Sequence, residues 1–404
     1  MEPMKCQHGV NYLTYKTKLT PVRYHYRGSY RIGDIVIEGQ PGAFILSTRA
    51  DNEWLITQHG NHGFDNRLVN LRTIFMAIGP DIAIKKEINE FQNVELYNLF
   101  ADLLNVTAAP NNGTKGHLYS VLRNPPATIP EVSSVTTTAQ CASPLSINNC
   151  NSSCANMRDL YENCVLSSVT IPFFIIDDGE CIIELCDAII HYNKILDRAQ
   201  LVETMITRES WTTAARRDCV YYVEGLQSSN QCALAQNDNT TTISLFINKA
   251  NYNTISAAFV NVSSRFANGT WLYLVNKIDK YVKQYGNLMM FSGPIYDSDG
   301  DGHRDSDRTI ESSVPSHIFV VVLRCASNEM ISPNLCHNIT FVSFVLPIVD
   351  EDFNCLEPDE YLYQNTARIL DIELLTGIQF FTNRSIWTPE EAILLRTRLT
   401  QTMW

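Results

Sequence analysis

Short runs of alternating apolar and polar residues, broken by turn residues, fill the first 120 positions. Alternation puts successive side chains on opposite faces, so such runs predict strands. Asp34 to Glu38, centred on Ile35-Val36-Ile37, and Ala43 to Leu46 read as strands. Ile74 to Ile78 reads as another, ended by Gly79-Pro80. From Asn93 to Leu104 the period lengthens. Val94, Leu96, Leu99, Leu103 and Leu104 recur at helical spacing and predict an amphipathic helix. A turn cluster, Ala109 to Thr114, follows it.

Residues 124–165 change character, with Pro125, Pro126, Pro130 and Pro144 among Ser, Thr and Asn. They read as a linker tied down by disulfides. From about residue 166 strands and helices mix again. Trp271 to Tyr285 predicts a helix with Leu272, Val275, Ile278 and Val282 on one face and Gly286 past its end. Leu288 to Phe291, Ile318 to Leu323 and Phe341 to Leu346 predict strands, and Thr366 to Leu375 a helix stopping before Gly377. Thr388-Pro389-Glu390-Glu391 opens a last helix with a capping box and Pro at its first position. The fold class expected for both parts is α/β or α+β.

The 404 residues suffice for two or three domains. Apolar residues are 45%, which excludes global disorder. Lys and Arg number 31 against 43 Asp and Glu, a net charge of −12. That balance argues against a nucleic-acid partner, which attracts a basic surface. No stretch approaches the ~20 apolar residues of a membrane span.

Twelve cysteines, none in a C-x-x-C pair, read as disulfides of an oxidising compartment. Cys150-x-x-x-Cys154 alone could pass for half a zinc site and lacks a second half. Glycosylation triplets at Asn105, Asn112, Asn151, Asn239, Asn261, Asn268, Asn338 and Asn383 support an extracellular location, although a chain rich in Asn, Ser and Thr makes some by chance. The amino terminus carries no apolar leader. The expectation is therefore a piece of a longer extracellular protein.

Two constellations carry chemistry. In Asp297-Ser298-Asp299-Gly300-Asp301-Gly302-His303-Arg304-Asp305, carboxylates stand at positions 1, 3, 5 and 9 and Gly at 6. They can wrap hard oxygen ligands around one calcium ion, with the His303 carbonyl at position 7. Arg308 stands where an EF-hand has its bidentate Glu, so the loop is not an EF-hand. The bland alternative is a solvated acidic turn. In Gln58-His59-Gly60-Asn61-His62-Gly63-Phe64-Asp65-Asn66, two histidines near an Asp could bind zinc, or could simply be surface residues of a glycine turn. No HExxH, GxSxG, Walker A or GxGxxG motif is present.

At Gly60-Asn61-His62-Gly63-Phe64-Asp65-Asn66 the chain resembles the G-x-H-G-[YF]-D-N motif of the ectonucleotide pyrophosphatase/phosphodiesterases. The similarity continues in order through Ile78-Gly79-Pro80, Asn93 to Leu99 and Ala109 to Thr114. Leu19 to Tyr26, Trp211 to Thr213, Ser292 to Asp297, Val314 to His317, Phe344 to Pro347 and Asp371 to Gly377 also resemble family motifs, so it covers essentially the whole chain.

The resemblance implies that residues 1–123 are the carboxy-terminal part of an alkaline-phosphatase-like phosphodiesterase domain. Residues 124–165 would be the linker. Residues 166–404 would be a nuclease-like domain of the DNA/RNA non-specific endonuclease, ββα-metal type. The family hydrolyses phosphodiester or pyrophosphate bonds of extracellular nucleotides, or of lysophospholipids in some members, with two zinc ions and a Thr nucleophile. His62 then matches a zinc ligand, and Asp297, Asp299, Asp301, His303 and Asp305 match calcium ligands.

The family's nucleophile and remaining zinc ligands lie upstream and have no counterpart here, so no catalytic residue is assigned. Gln7-His8-Gly9 only superficially resembles a zinc motif. A second resemblance, to active non-specific endonucleases, fails at its base. Between 166 and 270 the only histidine is His191, read in a helix-like context without the D-R-G of the nuclease motif, and Val275 replaces the expected Glu. The rival reading from another class is a noncatalytic, calcium-stabilised extracellular binding module.

Overall fold

The computed structural model describes Met4 and residues 11–46, 48, 60–126, 140–141, 147–151, 180–185, 188–208, 211, 219–226, 232, 239–247, 254–305, 314–325, 339–350, 353–382 and 386–404. Within them the strands are β1 (Tyr12–Lys16), β2 (Ile35–Gly39), β3 (Ile147–Asn149), β4 (Glu180–Glu184), β5 (Ala188–Asn193), β6 (Arg198–Ile206), β7 (Tyr221–Val223), β8 (Thr240–Ser244), β9 (Phe259–Ser263), β10 (Leu288–Ile295), β11 (His317–Cys325) and β12 (Ile339–Pro347). The helices are α1 (Leu96–Leu103), α2 (Leu272–Tyr285), α3 (Pro358–Gln364), α4 (Ile369–Thr376) and α5 (Pro389–Thr397). The class is mixed α and β, as expected.

The frame is a six-stranded antiparallel sheet in the order β12-β11-β10-β6-β5-β4. Its central strands are continuous apolar runs because both faces are covered. One face carries Met290, Val320, Val322 and Phe344 against Leu274, Ile278, Tyr281 and Val282 of α2. The other carries Phe291, Phe319, Val321 and Val345 against Ile372 and Leu375 of α4 and Ala392 of α5. Gly293 of β10 is required here: a Cβ would lie 2.3 Å from the Gln200 carbonyl oxygen of β6.

Several boundaries follow the pattern read from sequence. Thr388 and Glu391 close a capping box on α5, with Pro389 in the first turn. Gly377 ends α4 in the left-handed conformation, φ 76°. Four expectations are corrected. Ala43–Leu46 and Ile74–Ile78 are not strands. The buried residues of α2 are Leu274, Ile278, Tyr281 and Val282, while Leu272 is exposed. The helix starts after a π turn, Ala267–Trp271, which rotates its face from the simple periodicity. His191 lies in strand β5, not in a helix.

Residues 140–141 and 147–151, within the expected linker, take part in sheet pairing. Gln140 bridges Ile182 of β4, and β3 pairs with β7. Disulfides Cys141–Cys181 and Cys150–Cys232 fasten the same region. Cys219, Cys325 and Cys355 are also disulfide-bonded.

The amino-terminal segment is bound to the far end of the chain through buried charge. Arg23 donates to Asp65 at 2.6 Å and to the Gln364 carbonyl at 2.8 Å. Arg67 also donates to Asp65, and its guanidinium stacks 3.7 Å from the Tyr363 ring centroid. Nearby, Arg368 donates to Asp371 at 2.7 Å and to the Gln92 side chain at 2.9 Å, while His25 Nε2 lies 2.8 Å from Asp371. Burial alone would raise both Asp pKa values. The guanidiniums outweigh it and hold both below the usual carboxylate range.

Removing one partner of a buried pair strands the other charge. Asp371→Asn is therefore expected to cost about 3–5 kcal/mol in urea unfolding, whereas Arg72→Ala, which breaks an exposed pair with Glu90, should cost under about 1 kcal/mol. Because the native pKa values of Asp65 and Asp371 are depressed, their stabilisation is present above about pH 4 and is lost as pH falls through the native values. Wild-type stability measured from pH 5 downwards should drop, and the Asp371→Asn variant should drop less steeply.

Candidate metal-binding loop and histidine turn

The carboxylate loop connects the end of β10 to the approach of β11. Asp297 is anchored because its backbone N–H donates to Ser316 Oγ at 3.1 Å. The loop then reverses through Gly300 (φ 75°) and Gly302 (φ 86°), a backbone region that glycine enters without a Cβ penalty. The Asp301 amide donates to Asp297 Oδ1 at 3.0 Å and to Asp299 Oδ1 at 3.1 Å, and the His303 amide to Asp301 Oδ1 at 2.8 Å. Ser298 donates to Asp305 Oδ2. One carboxylate oxygen each from Asp297, Asp299 and Asp305 falls within 4.8 Å of the others.

Asp297 is 4% exposed, and its Oδ2 accepts no hydrogen bond. The buried Arg27 guanidinium is 3.8 Å from that oxygen, and neither its Nε nor the terminal nitrogen facing Asp297 makes a hydrogen bond. Burial pushes the Asp297 carboxyl up to about 6; Arg27 opposes the rise and Asp301 adds to it. An orphaned buried carboxylate oxygen among hard oxygen donors fits a calcium ion. Asp299, Asp301 and His303 are exposed, and the Asp301 carboxylate is occupied with the His303 amide.

The loop rests on the amino-terminal segment, which sequence reasoning missed. Lys18 Nζ donates to the Ser298 carbonyl at 3.0 Å. A Cβ on Gly28 would lie 2.7 Å from Asp301 Cα. Both residues flank the Leu19 to Tyr26 motif, the one sequence signal that pointed there.

The histidine turn is built differently. Gly63 has φ 90°, and the Asn61 side chain accepts the His62 amide at 2.8 Å. Asp65, at the end of the turn, is fixed by Arg23 and Arg67. The turn therefore has a rigid root and an exposed tip bearing His62. His59 lies outside the described residues. His62 and the carboxylate loop are separate constellations; the metal-ligand grouping of the described residues includes only Asp297, Asp299 and Asp305.

The nuclease-type candidates occupy structural positions. His191 Nε2 lies 3.7 Å from Glu203 across β5 and β6, and burial raises the Glu203 carboxyl. Asn268 lies exposed in the π turn, and Trp271 is buried against Phe266. Of the glycosylation triplets, Asn105, Asn151, Asn239 and Asn268 are exposed, and Asn112 and Asn261 half-buried; Asn261 accepts from Thr242. Asn338 and Asn383 lie outside the described residues. Among the described residues no helix is long and apolar enough to cross a membrane.

In the metal-free chain, ionised Asp297 opposes folding. Its native pKa, about 6, is raised, so the stability it contributes is present below about pH 4 and is lost as pH rises through about 6. Thermal unfolding in excess chelator should therefore weaken from pH 5 to pH 7.5 more in wild type than in Asp297→Asn.

Comparison with known proteins finds similarity over most of the chain. The DNA/RNA non-specific endonuclease family pattern matches residues 187–385. Venom phosphodiesterase 2 of Crotalus adamanteus is 28% identical across 93% of this chain and 52% of its own length. An ectonucleotide pyrophosphatase/phosphodiesterase of Caenorhabditis elegans is 28% identical across 95% of this chain and 53% of its own. The human ectonucleotide pyrophosphatase/phosphodiesterase family member 1 is 26% identical across 95% and 46%. The chain is thus a relative of these phosphodiesterases over nearly its whole length, with a nuclease-like domain, and it spans about half the length of the curated relatives it matches.

Proposed function

Taking this relationship as premise, we propose that the chain is the carboxy-terminal part of an extracellular nucleotide pyrophosphatase/phosphodiesterase. Residues 1–123 complete its alkaline-phosphatase-like catalytic domain, and the nuclease-like domain, loaded with calcium, braces it. The observation that carries the reading is the similarity to phosphodiesterases across 93–95% of the chain. The full protein hydrolyses a phosphodiester or pyrophosphate bond of a nucleotide or a related phosphodiester.

Two-metal hydrolysis needs both ions to clamp the attacking and leaving oxygens, and an activated nucleophile. In this chain His62 is the zinc ligand, held out on its rigid turn. The Thr nucleophile and the other zinc ligands belong to the part of the domain upstream of it. Calcium would be held by Asp297, Asp299 and Asp305, with Asp301 and the His303 carbonyl as further oxygen donors. Its charge would offset the repulsion of the crowded carboxylates in the loop that already rests on Lys18 and Gly28. The triplet asparagines exposed at the surface are glycan acceptors, in keeping with a secreted or cell-surface protein.

With a chromogenic phosphodiester and added zinc, the chain alone should show no turnover above background; measurable turnover removes the assignment of the nucleophile to a missing part. Chelating calcium should lower the melting temperature, and Asp299→Ala should abolish that response, because a ligand bound only by the native state stabilises it by mass action. An unchanged melting temperature on chelation removes the calcium site.

A further inference from the structure

A small cleft opens beside the carboxylate loop, between the start of β6, the end of β10 and the carboxyl end of α4. Arg198, Gln200, Tyr296 and Arg304 give it polar walls, and Leu375 and Ile378 give it an apolar side. Both charged residues of the lining are arginines, and no described carboxylate lines it. The chain as a whole carries a net charge of −12, so the cleft reverses the prevailing sign.

The carboxylates nearest in sequence are engaged elsewhere. Asp197 accepts from the Tyr192 hydroxyl at 2.7 Å, Asp305 from Ser298, and Glu373 from Arg396 at 2.7 Å. Burial raises the Tyr296 hydroxyl and Arg198 only partly offsets the rise, so the phenol brings no negative charge. The carboxyl end of a helix repels anions through its open carbonyls. Here those carbonyls are covered. Ile372 accepts from Thr376 Oγ1, Glu373 from the Gly377 amide and Leu374 from the Arg304 amide.

Both guanidiniums are positioned before any ligand arrives. That of Arg198 lies 3.8 Å from the Tyr296 ring centroid and makes no ion pair with a described residue. Arg304 is held by its backbone: its amide donates to the Leu374 carbonyl at 2.9 Å, and the next amide, of Asp305, to the Tyr296 carbonyl at 3.3 Å. Gln200 Oε1 is buried and accepts no hydrogen bond, so the amide can turn an N–H toward the cleft. Two planar guanidiniums and a neutral donor make the donor set that grips a phosphate or sulfate oxyanion.

We propose that this cleft binds the oxyanion end of a phosphate or sulfate monoester between Arg198 and Arg304, with the organic end lying on Leu375 and Ile378. The site goes beyond the phosphodiesterase reading and requires neither zinc nor calcium. Its arginines come from β6 and from the carboxylate loop, so an occupant would join the loop to the large sheet.

The test is titration calorimetry of the chain in excess chelator, at neutral pH and physiological salt, with phenyl phosphate and phenyl sulfate as probes. At least one probe should bind with a dissociation constant below about 10 mM. Arg198→Gln and Arg304→Gln should each weaken binding about tenfold or more, since each removes charged hydrogen bonds. Arg265→Gln, at an exposed arginine elsewhere, should leave it unchanged. Arg304→Gln keeps the backbone bonds of the loop, so it remains a test if loss of the Tyr296 stack unfolds Arg198→Gln.

Binding of phenyl phosphate alone assigns a phosphate ester as ligand. Equal binding of phenyl sulfate supports the site and widens it to sulfate esters. Binding of neither probe overturns the proposal, as does binding that survives both cleft variants or falls equally in Arg265→Gln. Calcium is absent throughout, so this outcome is separate from that of the calcium and turnover measurements.

Discussion

Buried charge at the seam between the first and last parts of the chain constrains everything else in this structure. Arg23 and Arg368 are among the largest fully buried side chains. A guanidinium stays protonated inside a protein, so each must find acceptors wherever it is buried. Arg23 finds them in Asp65 and Gln364, and Arg368 in Asp371 and Gln92. Gln364 lies across the seam from Arg23 and Gln92 across it from Arg368, while Asp65 and Asp371 lie on the same side as their arginines. Separating the parts would strip each buried guanidinium of an acceptor and part His25 from Asp371, and a buried polar group left without its hydrogen bond is costly. The amino-terminal segment is thereby held on the large sheet rather than resting on it.

The seam also sets where both chemical constellations stand. Asp65 roots the histidine turn because it is the carboxylate between Arg23 and Arg67. Arg27, a few residues on, faces Asp297 at the base of the carboxylate loop. Lys18 and Gly28 make the floor on which that loop rests. A cation in the loop would therefore strengthen contact with the segment that leads toward the histidine turn. The nuclease-like domain is thereby tied to the segment that leads to the histidine turn.

Strands β10, β11 and β12 of the large sheet were legible in sequence because they are continuous apolar runs, which need no knowledge of partners, whereas β4, β5 and β6 were not read. Caps were legible for the same reason: Thr388 with Glu391, and Gly377, act within a few residues. Reading failed where structure depends on distant chain. The runs Ala43–Leu46 and Ile74–Ile78 have strand composition, but a strand exists only with a neighbour. His191 carries no periodic signal of its own, and its strand is set by pairing with Glu180–Glu184 and Arg198–Ile206. The face of the long helix shifted because of the π turn before it. Local motifs located the carboxylate loop and the histidine turn. No local pattern could show that Arg23 meets Gln364, since that pairing spans 341 positions.

If the seam makes one cooperative body of the two parts, calorimetry is the direct measurement. The calcium-loaded chain should unfold in a single transition whose calorimetric and van't Hoff enthalpies agree. Two resolved transitions, with the amino-terminal part melting first while the six-stranded sheet persists, would contradict the account.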